Sequence, residues 1–155
     1  MRVKMLATAN RVRGWLVPGI VGAAMAFALT ATYNTVTAQT TTEFTGPAGI
    51  IIANVKGANA ADYEAVMAKV KEALSMSDEA AKQRMGQGWK IYRQVERQGG
   101  NVTYIHVIDP VVSGGDYTVG NILNVAFPAE VQALYQQFAD SLVGGLSRAN
   151  LEPLN

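Results

Sequence analysis

A single histidine, His106, stands in the middle of an apolar, β-branched run, Val-Thr-Tyr-Ile-His-Val-Ile. Imidazole is the one side chain that ordinarily changes charge near neutrality, so a general base is the first chemistry to consider and a haem ligand the second. Four residues close to it in sequence are candidates to complete a site. Arg93 can hold a carboxylate or phosphate. Trp89, Tyr92 and Tyr104 can wall an aromatic pocket. Each also has a plainer reading. His106 is then a half-buried ring bonded to a polar neighbour, Arg93 a cross-strand or interface ion pair, and the aromatics core or interface. His106 is therefore the candidate for catalysis, and Arg93, His106, Tyr104, Trp89 and Tyr92 are the candidates for ligand binding.

Other chemistries have little to stand on. One histidine and no cysteine argue against a protein-only zinc or iron–sulfur site, and no motif implies a cofactor. Gly86-Gln87-Gly88 precedes a strand, so it is no phosphate-cradling loop. Ser113-Gly114-Gly115 reads as a loop and lacks the strand–turn–helix setting of a nucleophile elbow. Met67, Met76 and Met85 fit core filling better than metal ligation. Asn101-Val102-Thr103 matches a glycosylation acceptor, a match common by chance.

The elements that must position these residues can be read from periodicity. Gly49–Lys56 is a β-branched run and the first strand. Tyr63, Val66, Met67, Val70 and Leu74 recur at helical spacing, giving an amphipathic helix over 60–76 with Asn59 as its cap. Ser77 or Asp78 caps a shorter continuation, ended by Gly86 and Gly88. Trp89–Val95 and Val102–Ile108 are two strands around Gly99-Gly100, a pair that can take the positive φ of a tight turn. Counting from that turn sets Val95 opposite Tyr104, Arg93 opposite His106, and Ile91 opposite Ile108. Asp109-Pro110 stops the ladder. Thr118–Phe127 holds at most a short helical turn, weakened by Gly120 and Asn121. Val131, Leu134, Tyr135, Phe138 and Leu142 repeat the spacing of the first helix over 129–143, with Pro128 at its start and Gly144-Gly145 at its end. A short edge strand is expected at 149–152.

The first 38 residues have another character. Arg2, Lys4, Arg11 and Arg13 precede an uncharged run, Gly14–Ala31, and then Val36-Thr37-Ala38. This is the three-part pattern of a secretory signal, with cleavage expected near Ala38–Gln39 and a periplasmic or secreted product. The alternative is a retained inner-membrane anchor, which would make the protein a tethered accessory subunit. Residues 39–48 read as a flexible arm and 49–155 as the domain. Without the leader, nine basic residues face twelve acidic ones, a net charge of −3, which gives no electrostatic footprint for nucleic acid.

The order is thus β-α-β-β-α-(β): an α+β, two-layer sandwich with an antiparallel sheet and both helices on one face. The other face would be too apolar to stay bare. In that order, in the run Ile-Ile-Ile-Ala-Asn-Val-Lys-Gly-Ala-Asn-Ala-Ala-Asp-Tyr-Glu-Ala-Val-Met-Ala-Lys-Val, and in Gly-Trp-Lys-Ile-Tyr-Arg-Gln before the hairpin, the chain resembles the dimeric α+β barrel group of the ferredoxin-like fold. That group includes the antibiotic-biosynthesis-monooxygenase-like and stress-response-like domains. The resemblance covers about Gly49 to Leu154 and rests on no motif that specifies a reaction. It implies a homodimer whose sheets pack face to face, often around a cavity. A small organic ligand, an oxygenase-like activity or haem handling would follow from it, with His106 as base or ligand and Arg93 as anion anchor.

Overall fold

A computed structural model describes residues 41–96 and 99–154, all within the unit Thr35–Asn155. The expected signal peptide, its cleavage point and the alternative membrane anchor lie outside the described residues. Among the described residues no helix is long and apolar enough to cross a membrane.

The fold is α+β: four antiparallel strands packed against four helices. In chain order these are β1 (Ala48–Lys56), α1 (Ala60–Met76), α2 (Ala80–Gly88), β2 (Trp89–Arg93), β3 (Asn101–Ile108), α3 (Val119–Ala126), α4 (Val131–Ser141) and β4 (Ser147–Leu151). The sheet order is β2-β3-β1-β4, and every pairing is antiparallel. The sheet is open, with β2 and β4 as its edges, so the expected barrel architecture is corrected here.

Alternation along the strands decides which side is dry. Ile51, Ala53 and Val55 of β1 and Val102, Tyr104, His106 and Ile108 of β3 are buried, while the residues between them are only partly covered or exposed. Period two in the sequence has become two chemically different sheet surfaces. The buried side receives Tyr63, Val66, Met67, Val70 and Leu74 of α1, the stripe its spacing predicts. Phe138 of α4 stacks on Tyr63 with ring centroids 5.8 Å apart.

Several local expectations are corrected. Asn59 makes no side-chain cap to the helix backbone; its amide bonds Asp62 instead. Gly86 does not end α2, which runs to Gly88. An added Cβ on Gly86 would lie 3.0 Å from Leu74, so the bare glycine lets α2 approach α1 closely. The short turn expected near Thr118 is an eight-residue helix. Ile122 and Leu123 are buried there, and burial outweighs the weak propensity of Gly120 and Asn121. Helix α4 starts at Val131, three residues beyond Pro128. The backbone after it turns back to β1, where the Val143 amide donates to the Asn54 carbonyl. Strand β4 begins two residues earlier than expected and is exposed along its length.

The hairpin is antiparallel, but its register differs by two residues from the expected one. Trp89 faces Ile108, Ile91 faces His106, and Arg93 faces Tyr104. Gly99 and Gly100 do take positive φ, at 60° and 81°. They sit at the tip of a longer loop rather than closing the ladder directly. The cause lies in β1: Lys56 pairs with Asn101, and Gly57 meets the loop so closely that a Cβ there would fall 2.1 Å from the Gly100 carbonyl oxygen. The start of β3 is held by β1, and β2 stops at Arg93. A shift of two keeps every side chain on its predicted face while changing its partner.

The end of the expected arm is anchored. The Thr42 amide donates to Thr118 Oγ1 at 2.7 Å and to Asp116 Oδ1 at 3.2 Å, and its carbonyl accepts from the Tyr117 amide. Phe44 is buried edge-on against Tyr117 and lies over Gly49, where a Cβ would come within 2.3 Å of its ring. Residues 41–44 therefore form a strap beside the N-terminus of α3.

Candidate functional site

Three aromatic side chains from three elements meet on the buried side of the sheet. β3 presents His106, β2 presents Trp89, and α1 presents Tyr63; each is at most 2 % exposed. The Trp89 indole nitrogen lies 3.0 Å from His106 Nδ1, and the Tyr63 hydroxyl lies 2.6 Å from His106 Nε2. An indole N–H can only donate, so Nδ1 must be an acceptor. The neutral ring then carries its proton on Nε2 and donates it to the Tyr63 oxygen. Tyr63 is left with its own hydroxyl proton, for which no acceptor is found among the described residues.

Electrostatics point the same way. Burial lowers the His106 pKa from 6.5 to about 4. A protonated ring would also set an Nδ1–H against the indole N–H, two donors facing each other. Burial, and next the charge of Tyr104, drive the Tyr63 pKa well above the ordinary phenol value. The trio is therefore uncharged at physiological pH.

This changes the chemistry open to His106. A general base needs a free lone pair, and so does a haem ligand. The Nδ1 lone pair accepts from Trp89 and Nε2 carries the proton, so these residues do not fit an axial haem site.

A cavity of about 410 Å³ lies against the trio. Its deep wall is Tyr63, Trp89, His106, Ile51, Tyr117 and Phe138, all nearly without solvent exposure. Thr41 and Thr42 of the strap form another side, and the exposed Leu146 and Arg148 stand at the rim. The volume falls within the range of small-molecule sites, and the mix of apolar wall and few polar atoms is also typical of them.

The structure thus brings together two of the five sequence candidates, His106 and Trp89. Tyr104 lies beside the trio, its ring centroid 4.7 Å from that of Tyr63, but its hydroxyl turns with Arg93 to a neighbouring group on Glu64. Tyr104 donates to Glu64 Oε1 at 2.5 Å, and Arg93 reaches the same oxygen at 3.3 Å, with the ion pair about half exposed. Burial first, then Glu64, raises the Tyr104 pKa to about 12, with Arg93 opposing. Arg93 does not face His106; Ile91 takes that place. Tyr92 points to the outer side of the sheet and is 54 % exposed. The expected cavity on the bare side, walled by His106 and Arg93, is corrected accordingly: His106 faces the core.

Tyr63, Tyr117, Phe138 and Arg148 were not singled out from sequence. Tyr63 had a visible signal, being the one member of its apolar stripe with a polar tip. The other three reach the cavity through long-range packing that local spacing does not encode.

No family model, no curated protein and no solved structure matches the chain. The resemblance to the dimeric α+β barrel group is therefore not supported, and neither is the ferredoxin-like kinship read from it. Together with the open sheet, this removes the basis for a homodimeric barrel, for a cavity between two sheets, and for the oxygenase-like, haem-handling or tethered-subunit roles. The signal-peptide, secreted and periplasmic assignment likewise gains no support from relatives.

Proposed function

We propose that one copy of this domain binds a small, largely apolar molecule in the cavity beside Tyr63, and that Tyr63 donates a hydrogen bond to a neutral acceptor on it, such as a carbonyl oxygen. The scaffold in this reading is a two-layer arrangement with its helices gathered on one side of the sheet. The observation that carries the proposal is the Tyr63 hydroxyl proton, unclaimed in the wall of a cavity of about 410 Å³. Trp89 supports it by holding His106 in the tautomer that makes Tyr63 a donor. Without that indole the imidazole could accept the phenol proton, and the hydroxyl would have nothing to offer.

The test is a ¹H–¹⁵N spectrum of the protein during titration with 2-octanone, an apolar chain with one neutral acceptor. Shifts are expected at Thr42, Tyr63, His106, Thr118 and Val119. Tyr63→Phe should weaken binding roughly two- to ten-fold, the worth of one hydrogen bond. Shifts confined to the outer side of the sheet, or unchanged affinity in Tyr63→Phe, would overturn the reading.

A further inference from the structure

The cavity lining contains one charged side chain, Arg148, and no carboxylate among the described residues. Its position is set by the ladder. Arg148 pairs with Ile51 across β4 and β1, Ile51 pairs with His106 across β1 and β3, and His106 pairs with Ile91. Directly paired residues on antiparallel strands point to the same side. Arg148, Ile51 and His106 therefore form one row under the cavity, with the cation at the exposed edge and the neutral ring at the buried centre. Two strand spacings separate the ends, about 10 Å between backbones. Arg148 has no ion pair among the described residues. Asp116, bonded to the strap, already accepts from Thr42, Thr118 and Asn121 and does not line the cavity.

We infer that the ligand of this cavity is an amphipathic carboxylate: its anionic end meets Arg148 at the rim, its apolar body crosses Ile51, and its neutral acceptor lies at Tyr63. This rests on the cavity being a ligand site and adds the charge and polarity of what enters. A guanidinium is permanently charged and matches a carboxylate with two parallel donors. Tyr63 and His106 are uncharged and Arg148 is the cation of the lining, so the rim is where an anionic end gains an ion pair and the buried end offers a single hydrogen bond.

Three probes separate the claims: 7-oxooctanoate, its methyl ester, and 2-octanone, each titrated calorimetrically into the whole chain. The acid is expected to bind about five-fold more tightly than the other two, the scale of one solvent-exposed ion pair. Arg148→Ala should remove that preference and leave the affinity for 2-octanone unchanged. Because Arg148 is exposed on an edge strand, the variant should keep the melting temperature of the parent. Equal affinity for all three probes would overturn the carboxylate assignment while leaving the cavity reading standing. Tighter binding of octyl phosphate than of the acid would also overturn it. Failure of all three probes to bind would overturn both.

Discussion

Two tyrosine-containing clusters, one centred on His106 and one on Glu64, sit side by side in this domain, built from the same three elements. One joins Tyr63 of α1, His106 of β3 and Trp89 of β2; the other joins Glu64 of α1, Tyr104 of β3 and Arg93 of β2. Their members are neighbours in sequence, one residue apart on α1, two apart on β3 and four apart on β2. What separates them is burial. Each member of the first is at most 2 % exposed, and every one of them is neutral. The second keeps its formal charges because Glu64 and Arg93 reach solvent in an ion pair about half exposed, although its Tyr104 is buried against Tyr63. A polar group in the interior must either find a partner or lose its charge, whereas an exposed pair contributes little because water competes for both ends. The buried cluster should therefore govern stability and its dependence on pH, and the exposed one should govern neither.

The largest expected effect is from Trp89→Ala. It removes a fully buried side chain and the donor to Nδ1, and should cost about 3–5 kcal/mol in urea unfolding. A loss below about 1 kcal/mol would mean that the buried cluster is not the structural centre it is taken to be.

Next in size is the response to acid. The folded-state pKa of His106, about 4, lies below the ordinary imidazole value of 6.5, so the unfolded chain binds more protons between those values. Stability from this group is complete above pH 6.5 and falls as the pH drops toward 4, by roughly 3 kcal/mol in all. Asp116 acts in a separate window. Burial raises its pKa, but hydrogen bonds from Thr118, Asn121 and Thr42 outweigh that and hold it low, so its contribution is lost only at pH values below the ordinary carboxylate range. Unfolding curves collected from pH 7 to pH 4 should show the slope, and His106→Gln should flatten it. A flat profile in the parent protein would break the contrast between the clusters.

The smallest effect belongs to the exposed cluster. A double-mutant cycle on Glu64→Gln and Arg93→Ala should give a coupling of about 0.2–1 kcal/mol that shrinks with added salt. A coupling of several kcal/mol, unaffected by salt, would show that Arg93 is as deeply committed as His106.

The two clusters also show where local pattern is informative. The stripe from Tyr63 to Leu74 and the alternation around His106 were readable because periods of 3.6 and 2 are local, and each predicts a face. The positive φ of Gly99 and Gly100 was readable from residue type, though the tight two-residue closure expected there was not found. The pairing of Arg93 was not, because register depends on where β1 holds the start of β3. Nor was α3, whose helix rests on burying Ile122 and Leu123. Of the site, His106 and Trp89 were visible as chemistry, and Tyr63 was visible as core. That the three touch could not be read from any of them.

Faces, then, are a property of the chain's own rhythm: a strand must alternate and a helix must repeat, whatever lies around them. Partners are a property of the assembled domain. His106 was bound to share a side with Tyr104 and Ile108 by chain geometry alone. Its neutrality, its tautomer and the hydrogen bond it passes to Tyr63 exist only because β2 brings an indole and α1 brings a phenol to opposite edges of one ring, deep in the core. Local sequence sets the direction of a side chain, and long-range packing sets the dielectric and the neighbours that decide its chemistry.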